Sequence, residues 1–203
     1  FKDLFFINII ITLVCVCCFA SLYQPFISLW VGKENVLGIE IPLLLIVYFF
    51  VRSTRRTLFT FYEAAGMWRL DFFKPYVSVI LNLVVNIVLA QIIGLPGVII
   101  SSVLALVVVE IPWETIVFFK NYFRRNPAEY LGLIIKSFLL CSIGVCVSYF
   151  LCGLLPEGII GIGVRLLVTL FLCTILAIVM LLFTRTGKQI VSRFGIADKI
   201  KRK

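Results

Sequence analysis

Long apolar runs alternate with short polar stretches along the whole 203-residue chain. Residues 4–31, residues 42–61, the run that follows Lys74-Pro75 and ends at Gly94, then residues 97–119, 130–155 and 163–184 form six such runs. Each is close to the roughly 20 residues that a helix needs to cross a bilayer. The pattern predicts an all-α, polytopic transmembrane helix bundle with six spans. Asn8, Gln24 and Pro25 interrupt the first run, and Trp30 supplies an interfacial aromatic at its end. Gly94-Leu95-Pro96-Gly97 reads as a tight turn, and Pro112 predicts a kink in the fourth span. The glycine-rich GIIGIG ahead of the sixth run reads as loop. Arg165 then lies at the membrane interface and snorkels, as does Lys136 near the opposite boundary.

The second run breaks the apolar pattern where it matters most. Arg52, Arg55 and Arg56 fall near its deep part, where each charge costs at least about 2.5–3.5 kcal/mol on an insertion scale. At 100° per residue, Arg52, Arg55, Arg56, Phe59 and Glu63 share one helix face, a stripe about 16 Å long. Such a face requires a wet cavity or partner charges. The fourth run carries Glu110 and Glu114 at i, i+4. The third carries Asn82 and Asn86 at the same spacing, with Gln91 near its outer end. One reading is interhelical pairing, with arginines on glutamates and asparagines bonded across the bundle. The other is a cavity for an anionic substrate, because three arginines outnumber the nearby deep carboxylates and a guanidinium fork suits phosphate oxygens. Arg52, Arg55, Arg56, Asn82 and Asn86 are the candidate substrate-binding residues. Glu63, Glu110 and Glu114 are candidates for charge pairing or for coupling transport to a proton or sodium gradient.

Composition agrees with the pattern. Apolar residues make up 62% of the chain and charged ones 14%, well away from the balance of a soluble domain. There is no His, which removes imidazole bases and the commonest metal ligand. The seven cysteines all lie inside apolar runs without a CxxC spacing and read as small hydrophobes. No metal, cofactor or catalytic residue is expected. The net charge of +9 follows from topology rather than from nucleic-acid binding. Arg69, Lys74, Lys120, Arg124, Arg125 and the C-terminal tail hold most of the basic residues, whereas the alternate loops hold only Lys33. That asymmetry predicts both ends of this segment on the cytoplasmic side. The tail from Gly187 lies on the anionic inner leaflet or is plainly solvated; both readings stand.

The segments RRTLFTFYEAAGMWRLDFFKP, ILNLVVNIVLAQIIGLPGVIISS and PWETIVFFK, in this order, resemble bacterial polysaccharide-biosynthesis flippases of the multidrug/oligosaccharidyl-lipid/polysaccharide exporter superfamily. The resemblance rests on Arg55, Glu63, Gly66, Lys74, Pro75, Asn82, Gly94, Gly97, Glu114 and Lys120. It extends over about residues 1–120. Arg56-Thr57 stands where that family often has Gln-Pro.

The resemblance implies two six-helix lobes around a central cavity, followed by two extra helices. Residues 1–126 would form the second half of the C-terminal lobe, residues 127–186 the extra pair, and residues 187–203 a basic cytoplasmic tail. The chain opens FKDLFF, without Met, and is expected to be the C-terminal part of something longer. The implied activity is flipping an undecaprenyl-diphosphate-linked oligosaccharide across the bacterial plasma membrane by alternating access. Arg55, helped by Arg52 and Arg56, would hold the diphosphate. Membrane lipids, a polysaccharide polymerase and export machinery would be further partners. A drug or cation exporter of the same superfamily, and a membrane-embedded polymerase or glycosyltransferase, are the competing classes.

Overall fold

The computed structural model describes residues 1–155 and 158–193. These residues are almost entirely helical. The helices are α1 (Lys2–Trp30), α2 (Glu40–Ala64), α3 (Lys74–Ile93), α4 (Leu95–Phe123), α5 (Ala128–Gly153), α6 (Ile159–Phe183) and α7 (Arg185–Arg193). Short 3-10 turns occupy Lys33–Asn35 and Trp68–Asp71. Five helices are long and apolar enough to cross a membrane: α1, α3 with the turn before it, α4, α5 and α6. The sixth expected span, α2, has 25 residues and thus a length of about 37 Å. Its arginines keep it out of that group. The basic tail expected over residues 187–203 is described only as far as α7.

The chain divides into two compact units, Glu34–Leu140, and Phe1–Lys33 with Cys141–Lys203. In the first unit, α3 and α4 form an antiparallel hairpin. Gly94 ends α3 at φ 65, ψ −136, a region that side chains strain to reach. Pro96 opens α4 where its missing N–H costs nothing. A Cβ on Gly97 would lie 2.4 Å from the Leu89 carbonyl oxygen, so only glycine lets the two helices start this close. The expected tight turn is therefore present. α2 packs along α4, and the first part of α5 closes the unit through Tyr130 and Phe138.

α4 is not a uniform α-helix. Residues Ala105–Glu110 wind as a wide π-turn, and the Ile111 N–H bonds to the Leu106 carbonyl. Pro112 follows immediately. Its ring crowds the carbonyl of Val108 and offers it no N–H, which widens the turn before it. The expected kink thus takes the form of a π-turn. A second wide turn, Phe119–Phe123, ends at Arg124 in the left-handed conformation. There the Arg125 N–H returns to the Phe119 carbonyl at 3.1 Å.

In the second unit, α1 and α6 run antiparallel and Ser21 Oγ meets Thr169 Oγ1 at 2.9 Å. Gly144 of α5 makes room for Leu13 and Cys17 of α1. Thr184 caps α7, its hydroxyl accepting from the Gly187 N–H at 3.0 Å. Arg193 at the far end of α7 bonds Asp3 at 2.6 Å. The GIIGIG stretch differs from expectation. α6 begins at Ile159, with Gly158 outside it as N-cap at φ 114, so Gly161 and Gly163 are helical and Arg165 sits in the second turn. Arg165 is buried and donates to the Leu155 carbonyl at 2.8 Å, tying the end of α5 to α6. Lys136 is exposed on α5. All seven cysteines are free.

Candidate functional site

The charged stripe of α2 divides on folding. Arg55 turns toward α4. Its Nη1 lies 2.7 Å from Glu110 Oε2, its Nη2 2.6 Å from Glu114 Oε1, and its Nε 3.0 Å from Glu114 Oε2. The planar fork thus holds Glu114 bidentately and reaches one turn along α4 to Glu110. The i, i+4 spacing of the glutamates makes this possible, because it stacks both carboxylates on the face that α4 turns to α2. Thr54, beside Arg55, is itself fixed. Its carbonyl accepts a hydrogen bond from the Tyr130 hydroxyl at 2.9 Å, and Tyr130 is fully buried against Phe119.

Three further groups join the network. Lys74 Nζ lies 2.7 Å from Glu114 Oε1 and also contacts Asp71. Ser78 Oγ donates to Glu110 Oε1 at 2.7 Å. Glu114 has no solvent exposure and the Lys74 side chain 5%, so their pairing is buried. Aromatic rings line the network. Phe59 faces the Arg55 guanidinium at 5.0 Å and Lys74 at 5.6 Å, and Tyr62 faces Lys74 at 5.5 Å. These contacts add cation–π attraction where water is scarce. Two cations thus meet three carboxylates, leaving one negative charge in excess when all are ionised.

The other members of the stripe stay out of this network. Arg52 is exposed and donates to the Tyr48 hydroxyl at 2.6 Å, a neutral partner that leaves its charge uncompensated. Arg56 and Glu63 are exposed. Arg55 therefore brings no surplus positive charge to the network, and Arg52 and Arg56 lie outside it. Asn82 and Asn86 are half-buried on α3, and the Asn82 Oδ1 atom is buried with no hydrogen-bond partner.

Sequence reasoning placed Lys74 among the loop charges and gave no role to Asp71 or Ser78. The missed signal is a spacing of four. Lys74, Ser78, Asn82 and Asn86 continue one face of a single helix, and α3 opens at Lys74 rather than after Pro75.

Among the described residues, no group of three or more His, Cys, Asp or Glu side chains is placed to hold a metal ion. Comparison of the chain with protein-family models, curated proteins and solved structures finds no match.

Proposed function

We propose that this chain is the membrane-embedded part of a flippase that moves a diphosphate-linked oligosaccharide lipid across a bacterial plasma membrane. In this reading α2 is a sixth span and both ends of the segment face the cytoplasm. The observation that carries it is the cluster of Arg55, Lys74, Asp71, Glu110 and Glu114, whose side chains lie in salt-bridge contact between α2, α3 and α4. Ionised groups inside a membrane are expensive and mark pathways for polar cargo or ions.

The roles of the arginines differ from one another. Arg55 organises the network and fixes α2 against α4. Arg52 and Arg56, four residues apart and without acid partners among the described residues, are the groups placed to take phosphate oxygens. The exposed Arg52–Tyr48 pair offers an aromatic edge beside the charge. The sugars occupy the wet space and the lipid tail stays in the bilayer while the protein alternates between inward- and outward-facing forms.

The test is transport of labelled undecaprenyl-diphosphate oligosaccharide in proteoliposomes, with Arg52→Ala and Arg56→Ala variants. Loss of flipping with normal membrane insertion supports the proposal; unchanged flipping in the double variant removes it. One observation favours a second reading, a cation or drug exporter: the excess carboxylate of the network suits a positive cargo. In that case lipophilic cations, and not the lipid-linked sugar, are transported, and Glu110→Gln is the damaging change.

A further inference from the structure

The contacts between α3 and α4 define a register. Lys74 meets Glu114 and Ser78 meets Glu110, while Leu89 approaches Gly97 at the turn. Between these points the register sets Asn82 opposite residues 105–106 and Asn86 opposite Ser101 and Ser102. The inner face of α3 is thus polar at every fourth residue, from Lys74 to Asn86. Opposite it, α4 winds as the wide turn Ala105–Glu110.

Yet the two asparagines are not interhelical glue. Neither side chain makes a hydrogen bond to the described residues, and Asn82 Oδ1 is buried without a donor. A buried amide left unmatched costs about 2–7 kcal/mol. Ser101 and Ser102 turn their hydroxyls to the Val98 carbonyl, so each keeps acceptor capacity. Among the described residues, four of the five orphaned buried side-chain polar atoms belong to Asp71, Asn82, Trp113 and Thr115, all of the unit that holds the charge network. Asp71 belongs to that network, Thr115 follows Glu114 in the chain, and Asn82 lies one helical turn beyond Ser78. Buried polar groups with no protein partner are satisfied by ordered water when the site is polar enough to hold it.

We propose that the face shared by α3 and α4 is a water-filled seam, entering at Asn86, passing Asn82 and ending at Ser78 and the Glu110 carboxylate. Water at Asn82 donates to the orphaned Oδ1 and continues the chain to the Ser78 hydroxyl. Glu110, the more exposed of the two glutamates on Arg55, thereby gains aqueous contact from the half of the bilayer nearer the Gly94 turn. The outer face of α3, with Val84 and Val88, meets lipid. The seam rests on the membrane-spanning reading and on no particular cargo.

Thiol labelling tests it. α3 and α4 contain no native cysteine, so modification can be assigned peptide by peptide in the full protein in membranes. Asn82→Cys, Asn86→Cys and Ser102→Cys are exposed to a water-soluble trimethylammonium-ethyl methanethiosulfonate, with Val84→Cys and Val88→Cys as lipid-facing controls. The seam predicts labelling at 82, 86 and 102 at least tenfold faster than at 84 and 88. Asn82→Cys reacting no faster than Val84→Cys overturns it. If Asn82→Cys does not insert, equal rates at 86, 102, 84 and 88 overturn it as well. Labelling of the seam without flipping of lipid-linked sugar leaves the seam standing and removes the flippase alone.

Discussion

Lys74 and Glu114 lie 2.7 Å apart with almost no solvent reaching either. Forty residues separate them, and each has a second partner, Asp71 for the lysine and Arg55 for the glutamate. A pair held this way is costly to bury but more costly to break. Glu114→Gln leaves two cations without their shared carboxylate, and a loss of about 3–5 kcal/mol is expected. Thermal unfolding in detergent measures it. Glu110→Gln is milder, because Arg55 keeps its bidentate contact to Glu114.

Lys74→Met combined with Glu114→Gln is expected to unfold at a higher temperature than Glu114→Gln alone. The double change removes the stranded ammonium along with its partner. A double-mutant cycle on these two positions reads the coupling directly. Purely additive losses would show that Asp71 alone suffices for Lys74.

Much of this network is written in the sequence, and part of it is not. Arginines inside the apolar run of α2 and an i, i+4 glutamate pair in α4 are visible as exceptions to an apolar pattern, and their meeting follows from the cost of burying either alone. Lys74 escapes notice because a lysine next to a proline at the edge of an apolar run looks like a topological loop charge. Its burial depends on where α3 begins, and boundaries are what composition fixes least well. The start of α6 is misread for the same reason, since three glycines in six residues suggest loop, yet Gly161 and Gly163 fold as helix and Gly158 alone stays outside it. The division of the arginines, with Arg55 ion-paired and Arg52 and Arg56 without an acid partner among the described residues, depends on the rotation of α2 against α4, which periodicity alone does not set.

That rotation has an identifiable support in Tyr130. Tyr130→Phe removes the hydroxyl that bonds the Thr54 carbonyl and is expected to cost about 0.5–1.5 kcal/mol. Tyr130→Ala also removes the ring stacked on Phe119, with a loss of about 3–5 kcal/mol. Comparison of the two melting temperatures separates the bond from the packing.

The hairpin turn gives a steric prediction. Gly97→Ala drives a Cβ into the Leu89 carbonyl, so the two helices must part, and a large drop in properly inserted protein is expected. Gly132→Ala, where nothing lies within 4 Å, serves as the control and leaves yield unchanged. Fluorescence-detected size exclusion reads both.

Arg52→Ala and Arg56→Ala are expected to change stability by no more than about 0.5 kcal/mol, as exposed side chains without acid partners. Detergent melting curves close to the parent's bear this out; a large loss at Arg56 would reveal a structural duty.

The α3–α4 hairpin also bears on how the chain enters a bilayer during synthesis. In a bilayer, α3 emerging alone would present an ammonium paired only with Asp71, and two amides with no partner. Its complement arrives only after the Gly94 turn, when α4 brings Glu110 and Glu114 past the same depth. If the two enter a bilayer as a single folded loop, Lys74 and Glu114 meet at the moment of entry.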